Sequence, residues 1–276
     1  MIRPEKMVPT ESGLATKVWT KLYSAAENAA ESEPKLLGML DDVVLSRTSL
    51  GNAVAVRLAR KLSRRDMNRD ELEPLIRTLL KLNPMVVDCM AADLLAVVER
   101  DAACHNVLEP LLFFKGFHAL ATYRVAHVLW QEGRHLLALL FQSVSSEVFG
   151  VDIHPAARIG CGILLDHGTG FVVGETAIIE NNVSMLHEVT LGGTGKEKGG
   201  ARHPIVRSGV LIGAGAKILG RVEIGEWAKI AASSVVLEDV APRTTVAGVP
   251  AVQVAVNSSC CDAPALGMKQ CIDSQA

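Results

Sequence analysis

Aliphatic residues recur along this chain on a beat of six. Over residues 211 to 236, Ile212, Ile218, Ile224, Ile230 and Val236 stand six apart, separated by small, polar or charged residues. A helix repeats its apolar face every 3.6 residues and a half-buried strand every 2, so neither carries this period. The same beat runs through Ile153, Ile159, Leu165 and Phe171 and, after a shift of two residues, through Val173, Ile179, Met185 and Leu191. Hexads of this kind mark a parallel β-helix in which each unit forms one flat side and points its aliphatic inward. Three sides close a coil of about 18 residues, and the backbone groups of each flat pair with the coils above and below. Gly174, Gly213 and Gly225 fall at or near the corners, where little side chain fits.

Residues 1–148 lack the hexad and read as helical. In "FFKGFHALATYRVAHVLW", Phe114, Phe117, Ala121, Val125 and Val128 are spaced 3, 4, 4 and 3 apart, which predicts a helix with one apolar stripe. "LEPLIRTLLKLNP" gives another helix running into Pro84, and Pro34 and Pro110 punctuate the rest. A helical cap would cover the first coil, whose open end would otherwise present unpaired strand edges. The fold class expected is α+β: a helical region over 1–148, a β-helix over 149–256 and a free, aperiodic tail over 257–276.

Between Leu191 and Val210 the hexad gives way to "GGTGKEKGGARHPIVRSG". Six glycines and several charges cannot fill an inward column, so residues 192–209 are expected to leave the coil as a loop. "GGTGK" is not a nucleotide-triphosphate loop, because Thr190 and Glu197 occupy positions that the motif reserves for Gly and for Ser or Thr.

Composition narrows the classes further. Lys plus Arg number 28 against 30 for Asp plus Glu, and no basic stretch is interleaved with aromatics, which argues against nucleic acid. No apolar run reaches the ~18 residues that would span a bilayer, and the first residues lack the apolar core of a signal peptide, so a cytoplasmic protein without membrane contact is expected. The six cysteines (89, 104, 161, 260, 261 and 271) show neither CxxC pairs nor disulfide-scaffold density, and are read as free thiols.

Candidate chemistry gathers around two stretches. In "LLDHGTG", Asp166 and His167 follow the inward Leu165 and so face outward near a corner; Asp152 of "VDIHP" lies fifteen residues before His167, about one layer away. A carboxylate on one imidazole nitrogen fixes the tautomer and leaves the other nitrogen as a base. Spacing alone fits an idle surface pair as well. The loop changes that balance, since "ARHP" supplies Arg202 and His203 on an excursion able to fold over a coil face. His154 and His187 are read as structural. His154, His167, His187 and His203 lie 13, 20 and 16 residues apart with no close pair, so no zinc centre or other metal is expected.

Residues 150–256 closely resemble the bacterial serine acetyltransferases of the hexapeptide-repeat acyltransferase superfamily, through "VDIHPAARIG", "LDHGTGFVVGETAIIE", "VTLGGTGK", "RHP" and "IGAGAKILG" through "AGVPA". The helical half agrees, most clearly in "LLFFKGFHALATYRVAHVLW". The resemblance implies a left-handed coil and transfer of acetyl from acetyl-CoA to the hydroxyl of L-serine in cysteine biosynthesis. His167 would be the general base, oriented by Asp152; His203 would assist, Arg202 would pair with the substrate carboxylate, and Asp101 and Asp166 would hold its ammonium. Acetyl-CoA, a co-substrate rather than a resident cofactor, would lie along Gly193, Ala214 and Ala232 with Lys229 near its nucleotide end. The resemblance also implies a trimer, pairing into a hexamer, and feedback inhibition by L-cysteine. Family members dock onto cysteine synthase through a C-terminal isoleucine; here Ile272 stands four residues short of the end, in "CIDSQA", so that docking mode is not expected. Competing readings are the same fold acting on homoserine or another small amine or alcohol, and a catalytically idle scaffold.

Overall fold

The computed structural model describes residues 13–195, 200–256 and 263–270. Helices occupy the first half: α1 (Gly13–Ser32), α2 (Leu37–Leu40), α3 (Leu50–Leu62), α4 (Arg69–Leu82), α5 (Pro84–Arg100), α6 (Leu108–Phe113), α7 (Lys115–Gln131) and α8 (His135–Phe149). Local chemistry starts them where it should. Ser49 caps α3 by accepting from Asn52 N–H, and Asn68 with Glu71 closes a reciprocal capping box on α4. None of the described helices is long and apolar enough to cross a membrane.

α8 ends on Gly150 in the left-handed region, and a parallel β-solenoid begins at Val151. Its coils present three faces. The first stacks Val151–Ile153, Phe171–Val173, Thr190–Gly192, Lys217–Leu219 and Val235–Val236; the second stacks Arg158–Ile159, Ile178–Ile179, Ile205–Val206 and Glu223–Ile224. The third stacks Leu164–Leu165, Ser184–Met185, Leu211–Ile212, Lys229–Ile230 and Thr244–Gly248, closed by the antiparallel strand Ala251–Val256. The inward columns, such as Ile179 on Val206 on Ile224, are buried as the six-residue beat requires.

The register explains the phase shift. Leu165 pairs with Met185, twenty residues on, whereas Ile212 pairs with Ile230, eighteen on. On the first face it is Val173, not Phe171, that pairs with Leu191, so the two extra residues lie in the corner 166–170. Phe171 is buried as well, two strand positions earlier and opposite Val151.

Four expectations are corrected. The helix carrying the Phe117 to Val128 stripe is buried on every side from Gly116 to Ala126, because α7 lies between its neighbours and the first coil. The excursion re-enters the coil at Ile205, not after residue 209, since Ile205 pairs with Ile178 across the second face. Cys89 and Cys161 are not free thiols but joined to each other, whereas Cys104 is free and buried. The tail does not simply hang free: Pro264–Gly267 forms a short helix, α9, with Ala265 fully buried and hydrogen-bonded to Gly209 O at 3.2 Å. Cys260, Cys261 and Ile272 lie outside the described residues.

The helical region grips the first coil through polar ties. Arg124 forms a two-pronged pair with Asp93 at 2.7 and 2.9 Å and also donates to Gly160 O; Asp93 accepts from Ile163 N–H, and Tyr123 donates to Ala157 O. Both charges are nearly inaccessible, so each depends on the other to remain inside.

Candidate active site

Two clusters of polar side chains sit on opposite edges of the first face. One occupies the corner between the third and first faces, where the two extra residues bulge the backbone. His167 is held there at φ 56°, with its side chain 72% exposed and Nε2 3.7 Å from Asp166 Oδ1. A non-glycine residue in the left-handed region carries a conformational cost that surrounding contacts must hold in place. Here α7 supplies them: Lys115 Nζ bonds Thr169 Oγ1, and Gly116 packs so closely that a Cβ would fall on the Leu165 carbonyl. Burial, then the Asp101 carboxylate, pushes the Asp166 carboxyl up.

The residues two beyond each inward position of the third face form a column: His167, His187, Ala214 and Ala232. The His167 and His187 rings meet edge to face with centroids 5.8 Å apart. His187 Nδ1 is buried and lacks a partner. An N–H there would be an unsatisfied buried donor, so the favoured tautomer carries its proton on Nε2. The sequence reads His187 as structural; the twenty-residue step from His167, equal to the length of the first coil, is the signal that it sits one coil above His167. Ala214 and Ala232 leave the corner beyond it open, and Gly213 is obligatory there, since its Cβ would fall 2.6 Å from Ala232 N.

Asp152 lies on this same edge, two residues past Gly150, whose carbonyl accepts from Gly170 N–H at 2.7 Å. Its carboxylate accepts from Gln142 Nε2 at 2.6 Å; no hydrogen bond joins it to His167. Asp101 caps the C-terminus of α5.

The second cluster fills the corner between the first and second faces. His203 is 7% exposed, and its Nδ1 accepts from Thr176 N–H at 3.1 Å, which leaves the proton on Nε2. Burial and the neighbouring Arg202 hold its pKa below the ordinary imidazole value. Its ring packs against Gly174, where a Cβ would fall 2.0 Å from Nε2. Thr176 Oγ1 accepts from the backbone N–H of both Arg202 and His203 and so folds the loop back onto the coil. Arg202 Nη2 donates to Glu175 Oε2 at 2.8 Å, and that pairing holds the Glu175 carboxyl below the usual range. Glu175 and Thr176, absent from the sequence reading, therefore set the position of Arg202 and His203.

Of the residues expected along acetyl-CoA, Gly193 borders His203, whereas Ala214 and Ala232 stand at the other edge. Lys229 lies within the third face, 7% exposed, between Leu211 and Thr245. Strand Phe171–Val173 runs between the two corners, and at ~3.3 Å per residue they are on the order of 15 Å apart in one subunit. Among the described residues no group of three or more His, Cys, Asp and Glu could hold a metal.

A parallel solenoid built of six-residue units is the architecture expected of the hexapeptide transferases. The model of the bacterial transferase hexapeptide, six repeats, matches residues 203–238, and that of the serine acetyltransferase N-terminal region matches residues 18–122. The chain is 51% identical over 234 residues to serine acetyltransferase of Haemophilus influenzae, covering 85% of this chain and 87% of that one, and 49% identical over 253 residues to that of Escherichia coli K12, covering 92% of each. It belongs to the serine acetyltransferase family. Among solved structures it is similar to a Brucella abortus serine acetyltransferase in complex with coenzyme A (TM-score 0.86, 47% identity, 90% and 99% covered). It is similar also to a serine acetyltransferase in complex with cysteine (0.90, 48%, 94% and 99%) and to the soybean enzyme complexed with serine (0.85, 50%, 88% and 99%).

Proposed function

We propose that this chain transfers the acetyl group of acetyl-CoA to the hydroxyl of L-serine, releasing O-acetyl-L-serine and CoA. The observation that carries the reading is the His167 corner, an exposed imidazole held in the left-handed region with Asp166 beside it and His187 one coil above. His167 takes the proton as the serine oxygen attacks the thioester carbonyl. The resulting tetrahedral centre collapses, the carbon–sulfur bond breaks, and the imidazolium returns its proton to the departing thiolate. Asp152 orients the imidazole with the carboxylate capacity that Gln142 leaves unused. His187, with its proton on Nε2, donates to the developing oxyanion.

Asp101 and Asp166 take the serine ammonium, Arg202 its carboxylate, and His203 assists. Because the two corners lie on opposite edges of one face, a complete site joins the His167 corner of one subunit to the Arg202–His203 corner of another. A cyclic trimer does this three times over, and exposed apolar residues such as Leu136 on α8 offer a surface on which trimers pair into a hexamer. Acetyl-CoA then runs in the intersubunit groove along Ala214 and Ala232 of one copy and Gly193 of the next. L-cysteine, which shares the ammonium and carboxylate of serine, competes for the same pocket.

The test is thiol release from acetyl-CoA with L-serine, L-homoserine or no acceptor. Serine-dependent release is expected, lowered about 10²- to 10⁴-fold by His167→Ala. His187→Leu should cost about 10²- to 10³-fold in kcat, and His187→Gln, whose amide nitrogen overlays Nε2, should recover most of it. Homoserine serving as well as serine would favour the other acceptor class; full activity in His167→Ala would sink the assignment of the base.

A further inference from the structure

The Cys89–Cys161 pair takes no part in the acyl-transfer chemistry. Cys89 stands on α5, and Cys161 sits in the corner between the second and third faces of the first coil, with Cα atoms 4.7 Å apart across 72 residues of sequence. This is the ordinary span of a disulfide. Around it the same junction is fastened without any covalent bond. Asp93, one turn beyond Cys89, accepts from Ile163 N–H at 2.9 Å; Arg124 links Asp93 to Gly160 O at 2.7 Å; and Cys161 N–H donates to Asn181 Oδ1 at 2.9 Å. These ties, set beyond Cys89 on α5, bring the two sulfurs together, and the bond adds a further tie nearer the start of that helix. Both residues are half-buried, within reach of small thiols, in contrast to Cys104, whose thiol is pushed up to about 11 by burial and by Glu109.

We propose that Cys89 and Cys161 form a reversible thiol–disulfide site that exchanges with low-molecular-weight disulfides and fastens α5 to the first coil. In the oxidising direction one cysteine thiolate attacks a small disulfide RS–SR and expels RS⁻. The second thiolate then attacks the protein sulfur of the mixed disulfide and expels another RS⁻. Two protein thiols are oxidised and one small disulfide is reduced to two thiols. The consequence reaches the substrate pocket along α5. Asp101 caps that helix twelve residues beyond Cys89, about 18 Å along the axis, and Arg100 is tied to Ser184 Oγ at 3.1 Å. Fastening the near end of the helix restricts the carboxylate at its far end, so the oxidised form binds serine more tightly while the chemical step is unchanged. That last step rests on the proposed role of Asp101.

The experiment uses the full chain with Cys260, Cys261 and Cys271 replaced by Ser, equilibrated across a series of glutathione redox buffers. Alkylation followed by peptide mapping reads the bond without any acetyl transfer. A peptide linking Cys89 to Cys161 should appear, vanish on reduction and return on re-oxidation, with a melting temperature on the order of 10 °C higher in the oxidised form because a 72-residue loop is closed. The serine KM should be about three- to tenfold lower in the oxidised form at equal kcat, and Cys89→Ser and Cys161→Ser should each abolish both differences. Full alkylation of both cysteines at every poise, or a link that does not reopen, would overturn the redox site. A reversible link with identical serine KM in both forms would overturn its coupling to Asp101. The mapped link does not depend on whether serine is the preferred acceptor, so the redox site stands or falls apart from the proposed function.

Discussion

Gly174→Ala isolates the support of His203 from its chemistry. Gly174 has no positive φ, so alanine fits its backbone and the whole effect lies in what the methyl meets. A Cβ there would fall 2.0 Å from Nε2, 2.1 Å from Cδ2 and 2.7 Å from Cε1 of His203. Ordinary carbon contacts begin near ~3.5 Å, so the ring must retreat by roughly 1.5 Å. The retreat breaks its bond to Thr176 N–H and, on the proposed assignment, moves the ring out of its working position. A displacement of about 1 Å in a positioned group costs on the order of 10²-fold, or ~2.7 kcal/mol of transition-state stabilisation. We therefore expect serine-dependent thiol release in Gly174→Ala to fall about 100-fold in kcat/KM, with a thermal midpoint near wild type. The same change in a His203→Ala background should cost nothing further, because the alanine leaves room for the methyl. Activity within threefold of wild type, or a full additional loss in the double variant, would refute the argument that Gly174 acts through His203.

Three further outcomes are expected. Co-expressing His167→Ala with His203→Ala subunits should restore about a quarter of wild-type activity per site if each site takes one corner from each of two copies, and essentially none if both corners act within one chain. Asp93→Asn leaves the Arg124 guanidinium charged, 5% exposed and without its carboxylate, and should lower unfolding free energy by about 3 to 5 kcal/mol in denaturant titrations. His118, buried and bonded to Leu111 O, has its pKa lowered to about 3, chiefly by burial. Between that value and the ordinary ~6.5 the unfolded chain binds the proton and the folded one does not, so stability falls as pH drops through this window, by ~1.4 kcal/mol per unit from this group. His118→Gln, which keeps the donor to Leu111 O without titrating, should flatten the slope, and equal slopes in urea melts at pH 7.5 and 5.5 would refute the assignment.

Much of the solenoid was legible because a period of six has few alternative explanations. Ile212, Ile218 and Ile224 fall on three different faces, and Ile212 and Ile230 stack in one column. The helical half was legible only as helical. The stripe on α7 could not reveal that its other sides are also covered, since residues such as Thr122 and Arg124 look solvent-facing until Asp93 and the first coil are in place. The cysteine pair was illegible for a related reason: a separation of 72 residues carries no local signal, and only the docking of α5 on the coil brings the sulfurs together.

The site was more legible than its parts suggested, and the reason lies in the register. A regular coil holds every column at one spacing, so a corner can gain residues only by bulging, and the bulge must be stabilised from outside. Here the slip from Leu165 to Val173, eight residues where Met185 to Leu191 takes six, falls on the corner 166–170. That corner carries His167 at positive φ and is buttressed by Lys115 and Gly116 of α7. The excursion before Ile205 delivers Arg202 and His203 to the opposite edge by the same logic, fastened through Thr176. Uninterrupted hexads build the frame, and the two interruptions, each held by residues outside the repeat, are where the side chains of the candidate site stand. The physics that makes the repeat easy to read therefore makes its breaks the places to look for chemistry.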